Sequence, residues 1–310
     1  MILLVSFAPP RLGPAMKFSL LLAALLGVAS VTHAQIVPPG EKPQQLVGDL
    51  QFGEGPACDA QGNVFFTDQP ADRILEWSAN GKLSTFLQPA GRANGLCFDR
   101  EGNLWACADA KNELWKILPA GRVEIVLKNY EGRLLNGPND VWIRPDGGLY
   151  FTDPYYRRPY WTRDLAEQNP RGVYFLSADR KRLVRVAEGM EQPNGIIGTP
   201  DGRTLYVADN SGRKTWRFAI QPDGSLADRT LFCEMGSDGM TLDTQGNVYL
   251  TYDGVAVFSP KGKQITQIDL PPPNRPTNVC FGGHDRRTLF ITMPNGLYAL
   301  RMAVAGSGSQ

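Results

Sequence analysis

Glu54, Asn94, Asn139, Asn194 and Asp238 each stand eight residues ahead of a turn glycine: Gly62, Gly102, Gly147, Gly202 and Gly246. A sixth copy, Asn278, precedes the less regular turn Gly282-Gly283-His284-Asp285. Taken singly, Asn-Gly, Asn-Asp and Asp-Gly are turn dipeptides. The shared offset makes the six equivalent members of a repeat, so they are expected to converge around one axis, with some of them only shaping the entry loop. The set offers carboxylate and amide oxygens and neither imidazole nor thiolate. Such donors suit Ca2+, which takes six to eight oxygens at about 2.3–2.6 Å. Glu54 and Asp238 break the Asn pattern, and their two charges match a dication. Mg2+, Mn2+ or Zn2+ are the expected substitutes.

Other chemistries are poorly supplied. Of two histidines, His33 falls in an apparent leader and His284 in a turn, which leaves little for a histidine zinc site or a Ser-His-Asp triad. No glycine-rich phosphate loop leads from a strand into a helix. A net charge of +1, with no extended basic run, argues against nucleic acid as a partner.

The elements that would carry the ring repeat as apolar run, glycine turn and second strand: Val64-Phe65-Phe66-Thr67-Asp68, Leu149-Tyr150-Phe151-Thr152-Asp153 and Leu205-Tyr206-Val207-Ala208-Asp209. Repeats of roughly 40–55 residues built from short strands point to a β-propeller. Six copies predict an all-β, six-bladed propeller over residues 45–302. If the apolar run is the innermost strand of each blade, the polar residue before it stands at the mouth of the central channel. The last blade shows only three strands, and residues 45–50 belong to no blade. They are expected to supply the missing strand and close the ring.

Residues 16–34 have a basic start, an apolar middle and a small-residue end, the pattern of an export signal cleaved after Ala34. The run is too short for a membrane span. Met16 reads as an alternative start. The expected product is a periplasmic or secreted protein with no membrane span, a monomer or weak dimer, with a linker at 35–44 and a flexible tail at 303–310. Five scattered cysteines do not make a disulfide framework. A Cys97–Cys107 bridge and simple burial both stay open.

One insertion, residues 154–171, breaks the spacing. Tyr155, Tyr156, Tyr160, Trp161, Arg157 and Arg158 are what a lid over a polyol would carry, with Tyr155, Tyr156, Arg157 and Trp161 the expected substrate contacts; the alternative is a surface loop that packs its own aromatics.

Glu54-Gly55-Pro56, Leu135-Asn136-Gly137-Pro138-Asn139-Asp140-Val141, Tyr150-Phe151-Thr152-Asp153-Pro154, Pro193-Asn194-Gly195 and Ser237-Asp238-Gly239-Met240 together resemble the senescence marker protein/gluconolactonase family. The resemblance spans residues 45–302. It implies a divalent cation held by Glu54, Asn194 and Asp238, Asn139 on metal or substrate, Asn136 on substrate, and Asp238 as acid/base. It implies hydrolysis of lactones, with sugar lactones of the gluconolactone type first. In that reaction Asp238 deprotonates or only orients the attacking water. Two rivals stand beside it: a metal-dependent phosphotriesterase, and a non-catalytic binding platform that would have no need of axial carboxylates.

Overall fold

The computed structural model describes residues 35–308 together with Ala8. The expected export signal at 16–34 lies outside the described residues. Each sequence repeat becomes a four-stranded antiparallel sheet, and the described residues form six of them. The inner strands are Gly53–Cys58, Ala93–Phe98, Val141–Ile143, Pro193–Gly198, Met240–Leu242 and Asn278–Gly282. Most are buried along their whole length, because neighbouring blades cover both faces. Strands buried on both faces carry small and apolar residues continuously and do not alternate. Outer strands such as Leu83–Leu87 and Val123–Leu127 are largely open to solvent.

The core lies between blades. Trp142, Tyr150 and Val173 of blade 3 share one cluster with Ile196 and Val207 of blade 4 and Met240 of blade 5. Trp105 of blade 2 packs with Phe151 and Tyr174 of blade 3. This interdigitation fixes the angle between blades, and with it the spacing of the ring.

In the sixth sheet the strand Gln44–Val47 pairs with Gly296–Arg301, setting Gln44 opposite Ala299 and Gln45 opposite Tyr298. The strand stops at Val47 where 45–50 is expected. Asp49 turns the chain away at a φ of 60°, and Leu50 is buried outside the ladder.

Two expected loose ends are packed. In the segment expected as a linker, Ile36 is buried and its carbonyl accepts from the Ala303 N–H at 2.8 Å. In the expected flexible tail, Val304 is buried, the Ala305 carbonyl accepts from Thr244 N, and Ser307 N donates to the Leu242 carbonyl. Their polar composition hides the reason: blades 5 and 6 offer backbone groups that this segment satisfies. Gly306 can follow because a Cβ there would come within 2.2 Å of the Phe281 Cβ.

A short hairpin, Asn129–Tyr130 with Arg133–Leu134, precedes blade 3. Its two-residue turn, Glu131-Gly132, has both residues at positive φ, as the twist of a tight hairpin requires. All five cysteines are free and buried. Cys97 faces Trp105 across the ladder and Cys107 faces Leu114, so the two thiols do not oppose each other. Burial pushes the Cys97 thiol up to about 12, which leaves it an inert apolar group.

Candidate functional site

Close contact between successive inner strands brings the six ring positions together. Gly55 has a φ of 47°, and a Cβ there would lie 2.0 Å from the Asn94 carbonyl oxygen. At Gly195 a Cβ would lie 2.7 Å from the Asp238 carbonyl oxygen. Only a residue without a side chain lets the blades approach so far. Threonines of the second strands tie one blade to the next. Thr67 donates to the Asn94 carbonyl at 3.2 Å and Thr152 to that of Asn194 at 2.7 Å. Blade 6 meets blade 1 through Thr277, whose hydroxyl donates to the Gly53 carbonyl at 2.6 Å.

All six ring residues stand in the inner strands or within two residues of their starts, and five of them are buried polar groups. The Asn194 side-chain nitrogen donates to Asp238 Oδ1 at 2.7 Å and to the Tyr156 hydroxyl at 2.8 Å. With both amide hydrogens engaged, the Asn194 oxygen is the group left over. Glu54 Oε2 accepts from the Gly55 N–H at 2.8 Å. Asn139 is buried, and its carbonyl accepts from Gly95 N at 2.7 Å. Asn278 hydrogen-bonds both Glu54 and Asp140, and its Oδ1 accepts from Val279 N at 2.8 Å.

Electrostatics show what the ring is short of. Burial, and then the charge of Asp238, holds the Glu54 carboxyl well above its ordinary range. Burial raises Asp238 to about 6, opposed by its bond from Asn194 and by the charge of Arg158. Two desolvated carboxylates that disfavour each other's ionisation are stabilised by a cation between them. Among the described residues no three carboxylate, imidazole or thiolate groups form a metal cage. A cation here would rest on Glu54, Asp238 and amide oxygens, and that oxygen-only set fits a hard dication.

The insertion lies over the same mouth, since Tyr156 reaches Asn194. Burial, then the nearby Asp238, raises its phenol to about 12, so it stays a neutral hydroxyl. The aromatics also pack on each other, with Tyr155 and Trp161 ring centres 5.8 Å apart. Lid and self-packing loop are therefore one object. Of the expected substrate contacts, only Tyr156 touches the ring. Trp161 is buried, donates through Nε1 to the Asp109 carbonyl at 2.8 Å, and covers Gly137. Tyr155 lies beneath the Arg163 guanidinium, 5.5 Å from its ring centre.

Two expected contacts are corrected. Asn136 is fully buried; its side-chain nitrogen donates to the Gln168 carbonyl at 2.8 Å and its Oδ1 accepts from Gln168 N at 3.0 Å. Its amide is spent on holding the insertion and has nothing left for substrate. Arg157 is exposed and paired with the equally exposed Asp164, away from the ring. A charge that can be solvated has little reason to enter a buried mouth.

Two further groups belong to the site. Asp140 follows Asn139 at the place that is glycine in blades 1, 2, 4 and 5 (Gly55, Gly95, Gly195, Gly239). It fills the space those glycines leave, accepts from Val141 N at 3.0 Å, and lines a small cavity below the ring with Pro56, Leu96 and Ile196. Burial raises its carboxyl to about 7. The broken glycine pattern is the signal that could have marked it. Arg158, expected as part of the lid, carries charge to Asp238; its ion-pair partner, Asp109, lies 49 residues away, beyond the reach of local pattern.

Residues 52–295 match the model of the SMP-30/Gluconolactonase/LRE-like region. The chain is 30% identical over 325 residues to a gluconolactonase of Zymomonas mobilis, covering 95% of this chain and 88% of that one. It is 27% identical to the diisopropyl-fluorophosphatase of Loligo vulgaris, covering 80% of this chain and 87% of the relative. The solved structure of a gluconolactonase from Xanthomonas campestris superposes with a TM-score of 0.78 at 30% identity, covering 84% of this chain and 89% of that one. With the propeller, the ring and these matches together, the chain belongs to the SMP-30/gluconolactonase family.

Proposed function

We propose that this chain opens sugar lactones by hydrolysis at the ring of Glu54, Asn194 and Asp238, with a divalent cation, calcium first, as cofactor. The observation that carries the reading is the carboxylate pair Glu54 and Asp238 in a lactonase-family propeller, where burial and the charge of Asp238 together hold the Glu54 carboxyl above its ordinary range. A gluconolactonase is among its relatives at 30% identity.

Asp238 holds the proton-accepting place. Its Oδ1 is fixed by Asn194, which leaves Oδ2 to take a proton from the attacking water. In the cation-free protein burial raises that carboxyl to about 6, and a dication beside it lowers it again. Water adds to the lactone carbonyl, the ring C–O bond breaks, and the proton passes to the departing alkoxide to give the hydroxy acid. A bound dication supplies polarisation of the carbonyl and stabilisation of the oxyanion. Glu54, Asn194 and Asp238 would hold it, with Asn139 on the cation or the substrate, and Tyr156 and Arg158 line the approach.

A second reading, phosphotriester hydrolysis at the same ring, is favoured by the Loligo vulgaris relative. The test is a chelator-controlled hydrolysis assay over aldonolactones, simple lactones and diisopropyl fluorophosphate. Lactone turnover that stops on chelation and returns with calcium is expected. Turnover of the phosphotriester alone would replace the first reading by the second, and no turnover by cation-loaded protein would remove both. Export to the periplasm or the medium is part of the proposal, on the strength of residues 16–34.

A further inference from the structure

Three blades end their second strand in an aspartate that turns back on its own blade. Asp68 accepts the N–H groups of Gln51 and Phe52 at 3.0 and 3.1 Å. Asp153 accepts those of Asn136 and Gly137 at 2.8 and 2.9 Å. Asp209 accepts those of Glu191 and Gln192 at 2.9 and 2.8 Å. Each carboxylate pins the connector entering its own inner strand.

Blade 2 departs from this. Ala108 ends the strand Leu104–Ala108, and the aspartate comes one residue later, as Asp109. The displaced carboxylate is buried and serves another blade. Its Oδ2 accepts from Arg158 Nε at 2.7 Å and from the Tyr160 hydroxyl at 2.6 Å, with Gln69 Nε2 at 3.3 Å. Its carbonyl accepts from Trp161 Nε1. Arg92 lies over the Tyr160 ring, 4.5 Å from its centre. Three side chains of the insertion thus end on one residue of blade 2. Beside them Tyr156 is bonded to Asn194, and the Arg158 guanidinium lies 5.6 Å from the centre of its ring.

We propose that Asp109 is the latch of the insertion: a positioning residue that holds Tyr156 and Arg158 over the ring and so sets affinity for substrate without touching it. Charge-assisted bonds to a buried carboxylate are the strongest polar ties available to such a loop. Nothing else among the contacts of Asp109 calls for a charge at the end of blade 2. The kinetic part rests on the lactonase reading; the mechanical part does not.

The test uses the full chain with Asp109→Asn and, as a milder second variant, Tyr160→Phe. Limited trypsin digestion reads cleavage after Arg157 and Arg163, since Pro159 blocks the bond after Arg158, beside lactone kinetics and cation content. For Asp109→Asn we expect cleavage within the insertion to quicken about tenfold and KM to rise about tenfold, the size of losing one charge-assisted bond. We expect kcat within about twofold and cation content unchanged. Tyr160→Phe should move both in the same direction by less, and it decides the matter if Asp109→Asn does not fold. Cleavage and KM within twofold of the parent in the folded variants would overturn the latch. Faster cleavage with an unchanged KM would overturn its positioning role, as would a loss confined to kcat. If the parent turns over no lactone, the lactonase reading fails while the cleavage rates still decide the latch.

Discussion

The Asn194 side-chain nitrogen lies 2.7 Å from Asp238 Oδ1 and 2.8 Å from the Tyr156 hydroxyl. One amide therefore joins blade 4, blade 5 and the insertion of blade 3. The insertion and the candidate base are thus bridged by a single side chain.

Asp238→Asn keeps the shape and one oxygen but removes the base. Turnover should fall by about 10²–10⁴-fold even at saturating calcium, the usual worth of a positioned base. Glu54→Gln should instead weaken cation affinity and recover much of its rate as calcium is raised. Measuring kcat against calcium for both variants separates the roles. Full recovery by Asp238→Asn would make Asp238 a ligand only.

The pH dependence follows from Asp238 at about 6, Asp140 at about 7 and the raised Glu54. Each lies above its unfolded value, so between about pH 4 and 7 the folded cation-free protein binds more protons than the unfolded chain. Stability of that form should fall as pH rises through this window. Cation binding needs the same groups deprotonated, so affinity should rise over the same window. The gap in Tm between calcium-loaded and chelated protein should widen from about pH 5 to 8. A constant or narrowing gap would contradict the assignment.

Arg157 and Asn136 make a contrasting pair. Arg157→Ala removes an exposed ion pair and should leave stability and kcat/KM unchanged. Asn136→Ala leaves the buried N–H and carbonyl of Gln168 without partners and should cost about 2–3 kcal/mol. Chemical denaturation of the two variants checks both outcomes. An Arg157→Ala protein with a raised KM would return that residue to the site.

Removing residues 35–47 takes away the strand that pairs with Gly296–Arg301 and bares the Val47 and Ile36 contacts. The melting temperature should drop by about 5 °C or more. A truncated protein melting with its parent would show that blade 6 does without a fourth strand.

Much of this was legible in the sequence because a repeat reports itself. The offset of eight marks Glu54, Asn194 and Asp238 as equivalent before any coordinate is known, and their oxygen chemistry follows from residue type. What stayed hidden depends on contacts between distant residues. Asp140 sits in an ordinary Asn-Asp turn pair, and only comparison with Gly55, Gly95, Gly195 and Gly239 sets it apart. Asn136 looks like a site residue because it neighbours Asn139 in the motif. Its side chain turns instead to Gln168, 32 positions on. The order of residues 303–308 was masked by a Gly/Ser composition that ordinarily signals a tail.

The pairing of Gln44 with Ala299 carries a consequence for how the molecule comes into being. The segment made among the first must wait for one made near the last. Until the strand Gly296–Arg301 exists, the opening strand has no partner and the circle of blades cannot shut. Contacts of such long separation make assembly slow and leave sheet edges bare in the meantime. The same arrangement closes the ring: unzipping blade 6 requires breaking Gln44–Val47 away from Gly296–Arg301.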